Sequence, residues 1–126
     1  QDIDGIDSDR DGVRDDVQRW IYALVPNDPK KQMALRQLSR SFQFALHPEF
    51  DHETRLKANS LLNRALDCES LSFPDELHGY QEFVHLEAKV LNTKLRTMRQ
   101  IENDSKWTQD EISQERERDP QPCDNR

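Results

Sequence analysis

Glycine is almost missing from this chain, which carries it only at positions 5, 12 and 79. A glycine-rich loop that cradles phosphate therefore has nowhere to form. No run of eighteen apolar residues occurs, so no segment is expected to span a membrane as a helix. Positive charge is in deficit: 18 lysines and arginines stand against 25 aspartates and glutamates, for a net of −7. Phosphate backbones demand a positive surface, so nucleic acid is not an expected partner. There is no HExxH, no CxxCH and no recognisable nucleophile elbow. The chain accordingly reads as a non-enzyme. Cysteine is sparse too. Cys68 and Cys123 are an even pair, compatible with one disulfide in an oxidising compartment or with two separate thiols.

What is present fits one domain of 126 residues, long enough to bury a core of its own. Only 33% of residues are hydrophobic and 34% are charged, and the polar excess gathers at the two ends. The first sixteen residues hold seven aspartates against Arg10 and Arg14, which accounts for most of the net charge. Three regions follow: an acidic loop at 1–12, a helical domain at 13–107, and a charged tail at 108–126. The tail lacks apolar periodicity and is expected to be frayed or disordered.

Apolar residues in the middle recur at helical spacing rather than in alternation. Val13, Val17, Trp20, Ile21 and Leu24 form one helical face, which Pro26 ends. Asp28-Pro29 starts a second helix as N-cap and first helical position, with Ala34, Leu35, Leu38, Phe42, Ala45 and Leu46 facing the core. Asp51 caps a third, carrying Ala58, Leu61, Leu62, Ala65 and Cys68. Phe73-Pro74 breaks it, and Asp75 is the next capping candidate. A fourth and longest helix is predicted from Tyr80 through Phe83, Val84, Ala88, Leu91, Leu95 and Met98, with Ile101 beside the stripe. Glu87 interrupts it and is expected near the bundle end or paired with Arg36 or Arg40. Short connections make successive helices neighbours, so the fold class is all-α: a four-helix bundle, or an orthogonal helical array, preceded by an acidic loop.

That loop carries the sharpest chemical signal. Asp7, Asp9 and Asp11 alternate, and Gly12 follows. In an EF-hand loop, side chains at positions 1, 3 and 5 supply oxygens, Gly at 6 permits the turn, and position 7 offers its carbonyl. Here those positions are Asp7, Asp9, Asp11, Gly12 and Val13. Dipole capping of the following helix would need neither the alternation nor the glycine. Position 12, ordinarily a bidentate glutamate, is Gln18, a neutral amide. Asp15 at position 9 binds directly or through water, and Asp16 on the first helical turn is the expected bidentate ligand. Asp2 and Asp4 are outer candidates, more readily read as terminal residues.

The pattern DxDxDGxxDD resembles the calcium loops of bacterial extracytoplasmic proteins, the short EF-hand-like and thrombospondin type 3-like repeats. The resemblance covers about ten residues and implies Ca²⁺ bound by Asp7, Asp9, Asp11, Val13 and Asp15 or Asp16. Sites outside the cytosol typically bind calcium at about 10⁻⁴ to 10⁻³ M, and a loop without its position-12 glutamate suits that range. The cysteine pair and the first residue, Gln rather than Met, also fit a processed periplasmic or secreted product.

Two further constellations stand apart. His78, Glu82 and His85 share one helical face at ligand-compatible spacing, but opposite the predicted apolar stripe, which makes it a solvated face. Met33 and Phe44 lie on the otherwise polar side of the second helix. The expectation is a non-enzymatic domain with one structural calcium that binds an unidentified protein. The alternatives are a calcium-responsive switch exposing Met33 and Phe44, and a helical transition-metal carrier or enzyme using the histidine face.

Overall fold

A computed structural model describes residues 3–113, 118–124 and 126. They form six helices and, among the described residues, no strand: α1 (Asp15–Leu24), α2 (Pro29–Phe44), α3 (His52–Ser72), α4 (Glu76–Val90), α5 (Lys94–Asp104) and α6 (Gln109–Ile112). The all-α expectation holds. Several N-termini are set by the side chains that the local pattern named. Asp28, Asp51 and Asp75 each accept a backbone N–H of the first helical turn, at 3.1, 2.9 and 3.1 Å for the shortest bonds. Each satisfies a donor that helix geometry leaves without an internal partner.

Helix α2 is the hub, packed against α1, α3 and α4. Leu35, Leu38 and Phe42 meet Val13, Val17 and Ile21 of the α1 segment, Ala65 of α3, and Leu86 and Val90 of α4 in one apolar cluster. The Phe42 and Phe83 rings meet edge to face at 5.1 Å. Leu24, expected on the core face of α1, is instead partly solvent-facing at its C-terminal end.

The predicted fourth helix is corrected in two ways. It divides at Leu91–Thr93 into α4 and α5, without glycine or proline. Thr93 caps α5 by accepting the Arg96 N–H at 3.2 Å, while the Arg14 guanidinium binds the Val90 and Lys89 carbonyls at 2.7 and 3.2 Å. Those carbonyls are the ones a helix end leaves unmet, so a buried arginine from another segment stabilises the break. The buried face is also different: Gly79, Glu82, Leu86 and Val90 turn inward, whereas Val84, Ala88, Leu95 and Met98 are exposed. Apolar residues ring α4 on nearly every side, so periodicity alone does not select its inner face. Glu87 has no ion pair with Arg36 or Arg40. Burial and the nearby Asp104 charge push its carboxyl up. Arg36 instead donates to the Tyr22 hydroxyl, and Arg40 to the carbonyls of Asp11 and Arg126.

Where the sequence suggests a frayed tail, the described residues are held. Glu111 of α6, 2% exposed, takes Arg55 at 2.9 Å and His52 at 2.5 Å. The Arg55 hydrogen bond holds its carboxyl down at about 2. Farther on, Cys123 is disulfide-bonded to Cys68. Arg64 binds Asp119 and Asp124, and the buried Gln37 amide both donates to the Pro122 carbonyl and accepts the Asp124 N–H at 2.8 Å. Residues 114–117 lie outside the described residues.

Candidate metal centre

The acidic loop curls because three of its residues occupy the left-handed region: Gly5 at φ 68°, Arg10 at 56° and Gly12 at 86°. Glycine is required at position 12 on two counts. An L side chain is strained at that φ, and a Cβ there would lie 3.0 Å from Arg40 Cδ. The turn lets Gly12 N–H donate to Asp7 Oδ2 at 2.9 Å, and Val13 N–H to Asp11 Oδ1 at 2.9 Å. The chain then closes on itself, since the Asp15 N–H, first in α1, donates to the Ile6 carbonyl at 2.8 Å.

This closure brings Asp7, Asp9 and Asp15 together, with one carboxylate oxygen of each within 4.8 Å of the others. Two oxygens sharing a calcium at 2.3–2.6 Å can stand no farther apart than about 5 Å, so the trio has the span of one coordination sphere. The Asp7 Oδ1 atom is inaccessible to solvent and has no hydrogen-bond partner among the described residues. A buried carboxylate oxygen left bare is costly, and a cation is one way to satisfy it. Exposed acidic groups also gather without an ion.

The six sequence candidates divide. Asp7, Asp9 and Asp15 converge. Asp11 is adjacent but outside the trio, its carboxyl pushed up by burial and then by Asp9 and Asp7. Val13 anchors the loop through a fully buried side chain. Asp16 faces away: Arg14 binds it at 3.0 Å and Asn92 at 3.4 Å. It sits at about 2, below the ordinary aspartate range, despite partial burial, because of the Arg14 hydrogen bond and charge. The carboxylate at the helix start that joins the trio is therefore Asp15. Asp4 is exposed and apart from the trio, and Asp2 lies outside the described residues.

Two residues unmarked by the sequence pattern organise the site. Ser8 clasps Asp15, donating its N–H at 2.9 Å and its hydroxyl at 2.5 Å. Those bonds lower the Asp15 carboxyl. A serine between alternating aspartates is a weak local signal for such a clasp. Arg14 is the other. It is 2% exposed and links the loop's end to the C-terminus of α4. Arg96 of α5 and Gln43 of α2 hold the loop's beginning through the Ile3 carbonyl, at 2.9 and 3.4 Å. The acidic segment is thus tied to α2, α4 and α5 by polar contacts.

No protein-family model, curated protein or solved structure matches the chain.

Proposed function

We propose that this chain is a non-enzymatic helical domain of the periplasm or cell exterior, stabilised by one structural Ca²⁺ and acting as a protein-binding module. The observation that carries the calcium reading is the convergence of Asp7, Asp9 and Asp15 around a bare, buried Asp7 oxygen. Hard oxygen donors at this spacing suit calcium. Asp11 and the Val13 carbonyl are further ligands implied by the loop pattern, and Asp16 is better engaged by Arg14. The Cys68–Cys123 disulfide supports an oxidising compartment. No helix among the described residues is long and apolar enough to cross a membrane.

A structural ion is favoured over a switch. Phe44, which a switch would expose, lies at a tilt against the His47 ring at 5.7 Å and under Lys57 at 5.1 Å. The binding-module reading draws on α5, where Leu95, Met98 and Ile101 recur every third residue and are 44%, 55% and 65% exposed. Apolar side chains clustered on one solvent-facing surface are a common mark of a protein contact. Thermal unfolding with Ca²⁺ and with EDTA tests the calcium reading. Calcium is expected to raise the melting temperature of the wild type and leave Asp9→Ala unmoved. An identical wild-type melt in both conditions would remove the reading.

A further inference from the structure

The second concentration of ligating side chains lies on the inner edge of α4. Sequence spacing put His78, Glu82 and His85 on a solvated face, but α4 packs in the other register and buries Glu82 to 6% exposure. Both histidines then converge on a single atom of it. His85 Nδ1 is 3.5 Å and His78 Nε2 is 4.0 Å from Glu82 Oε1. The other Glu82 oxygen is buried with no hydrogen-bond partner among the described residues. Glu69 of α3 reaches the same face: its Oε1 is 3.9 Å from where a Cβ on Gly79 would stand, one helical turn from Glu82, and its Oε2 is likewise buried and bare. Neither carboxylate has an arginine or lysine ion pair among the described residues. The neighbours of Glu82 are two neutral-capable imidazoles, which donate lone pairs as readily as protons.

We propose that His78, Glu82 and His85 bind a divalent transition metal of the zinc class, with the metal neutralising the carboxylate edge where α4 meets α3. Two nitrogens and a carboxylate oxygen are a donor set that zinc takes readily, at about 2.0–2.2 Å each. At a tetrahedral angle those lengths separate donors by about 3.4 Å, which the His85–Glu82 separation already matches. The His78 and His85 nitrogens do not yet lie within 4.8 Å of one another, so both rings must turn toward a shared ion. The spacings i, i+4 and i+7 keep all three donors on one strip of helix. The His78 ring packs edge-on against Phe73 at 5.3 Å, which limits its orientations, while His85 is 61% exposed and free to adjust. A protonated histidine paired with Glu82 is the competing arrangement. It engages the same Glu82 oxygen as the metal would, so only a direct titration separates the two arrangements.

The test is a zinc titration of the intact, disulfide-bonded protein with the acidic loop saturated by Ca²⁺. One zinc per chain is expected. His85→Ala and Glu82→Gln should each weaken it by at least about tenfold, the effect that loss of even an outer hydrogen-bond partner has at such sites. Asp9→Ala should leave zinc affinity unchanged. Absence of zinc binding by the wild type overturns the proposal, as does binding undiminished in both α4 variants or abolished by Asp9→Ala. Should a variant fail to fold by circular dichroism, cobalt substitution of the wild type decides. An intense tetrahedral visible spectrum supports the site, and a weak spectrum of all-oxygen type overturns it.

Discussion

Two of the acidic groupings among the described residues solve carboxylate crowding in opposite ways. In the N-terminal loop, Asp7, Asp9 and Asp15 are close in sequence and half-buried or exposed, and they are organised by backbone N–H groups and Ser8. On the α3–α4 contact, Glu69 and Glu82 come from different helices, are nine-tenths buried, and meet no backbone donor among the described residues. In the loop the Ser8 hydrogen bonds hold the Asp15 carboxyl down. The helical pair is desolvated, and with Glu82 nearby the Glu69 carboxyl is pushed up to about 7. The difference shows that an anionic cluster's chemistry depends on which donors reach it, not on how many acids it holds.

The contrast can be broken at its junctions. The largest effect is expected at Arg14, which is buried and serves both the Asp16 carboxylate and the end of α4. Arg14→Ala should cost about 3 kcal/mol in urea unfolding, since it strands a carboxylate and two helix-end carbonyls together. A loss under about 1 kcal/mol would show that loop and helices are not energetically joined there.

The helical pair should show itself through pH. Glu69 has a folded pKa of about 7 against an ordinary 4.5, so between those values the folded state holds a proton that the unfolded state has released. Stability should fall as pH rises from about 4.5 to about 7 and level off above, by up to about 3 kcal/mol in the metal-free protein. Glu69→Gln should flatten that slope, as read from denaturation midpoints across the range. A slope unchanged in the variant would assign it to other groups.

The loop should instead respond to calcium. At about 100-fold excess over Kd, the ion adds roughly 2.7 kcal/mol. Asp9→Ala should erase the calcium-dependent increment while leaving the pH slope of Glu69 intact, a separation that differential scanning calorimetry can read. The smallest effect is expected from Gly12→Ala, about 1–2 kcal/mol from the left-handed φ and the close Arg40 side chain. Because that turn shapes the loop, the variant should also bind calcium more weakly in direct titration.

Legibility followed locality. Asp28, Asp51 and Asp75 were readable as caps because a cap acts on a backbone N–H two or three residues away. The Asp7–Asp9–Asp11–Gly12 turn was readable for the same reason, although the choice of Asp15 over Asp16 was not. That choice depends on Arg14, whose own position is set by carbonyls about 75 residues away. The break between α4 and α5 carries only Asn92-Thr93 as its mark, because the partner that stabilises it is the same distant arginine.

The amino-acid order by itself determined the all-helical class, the capped starts of α2, α3 and α4, the apolar faces of α2 and α3, and the acidic loop with its glycine turn. These rest on interactions within one or two turns of chain, where spacing and geometry coincide. Only the tertiary structure decided which side of α4 faces inward, where the tail is fastened, and that Glu82 meets Glu69 away from water. Those outcomes turn on which surfaces α2 and α3 leave to be covered, and desolvation of a side chain is a property of its neighbours in space.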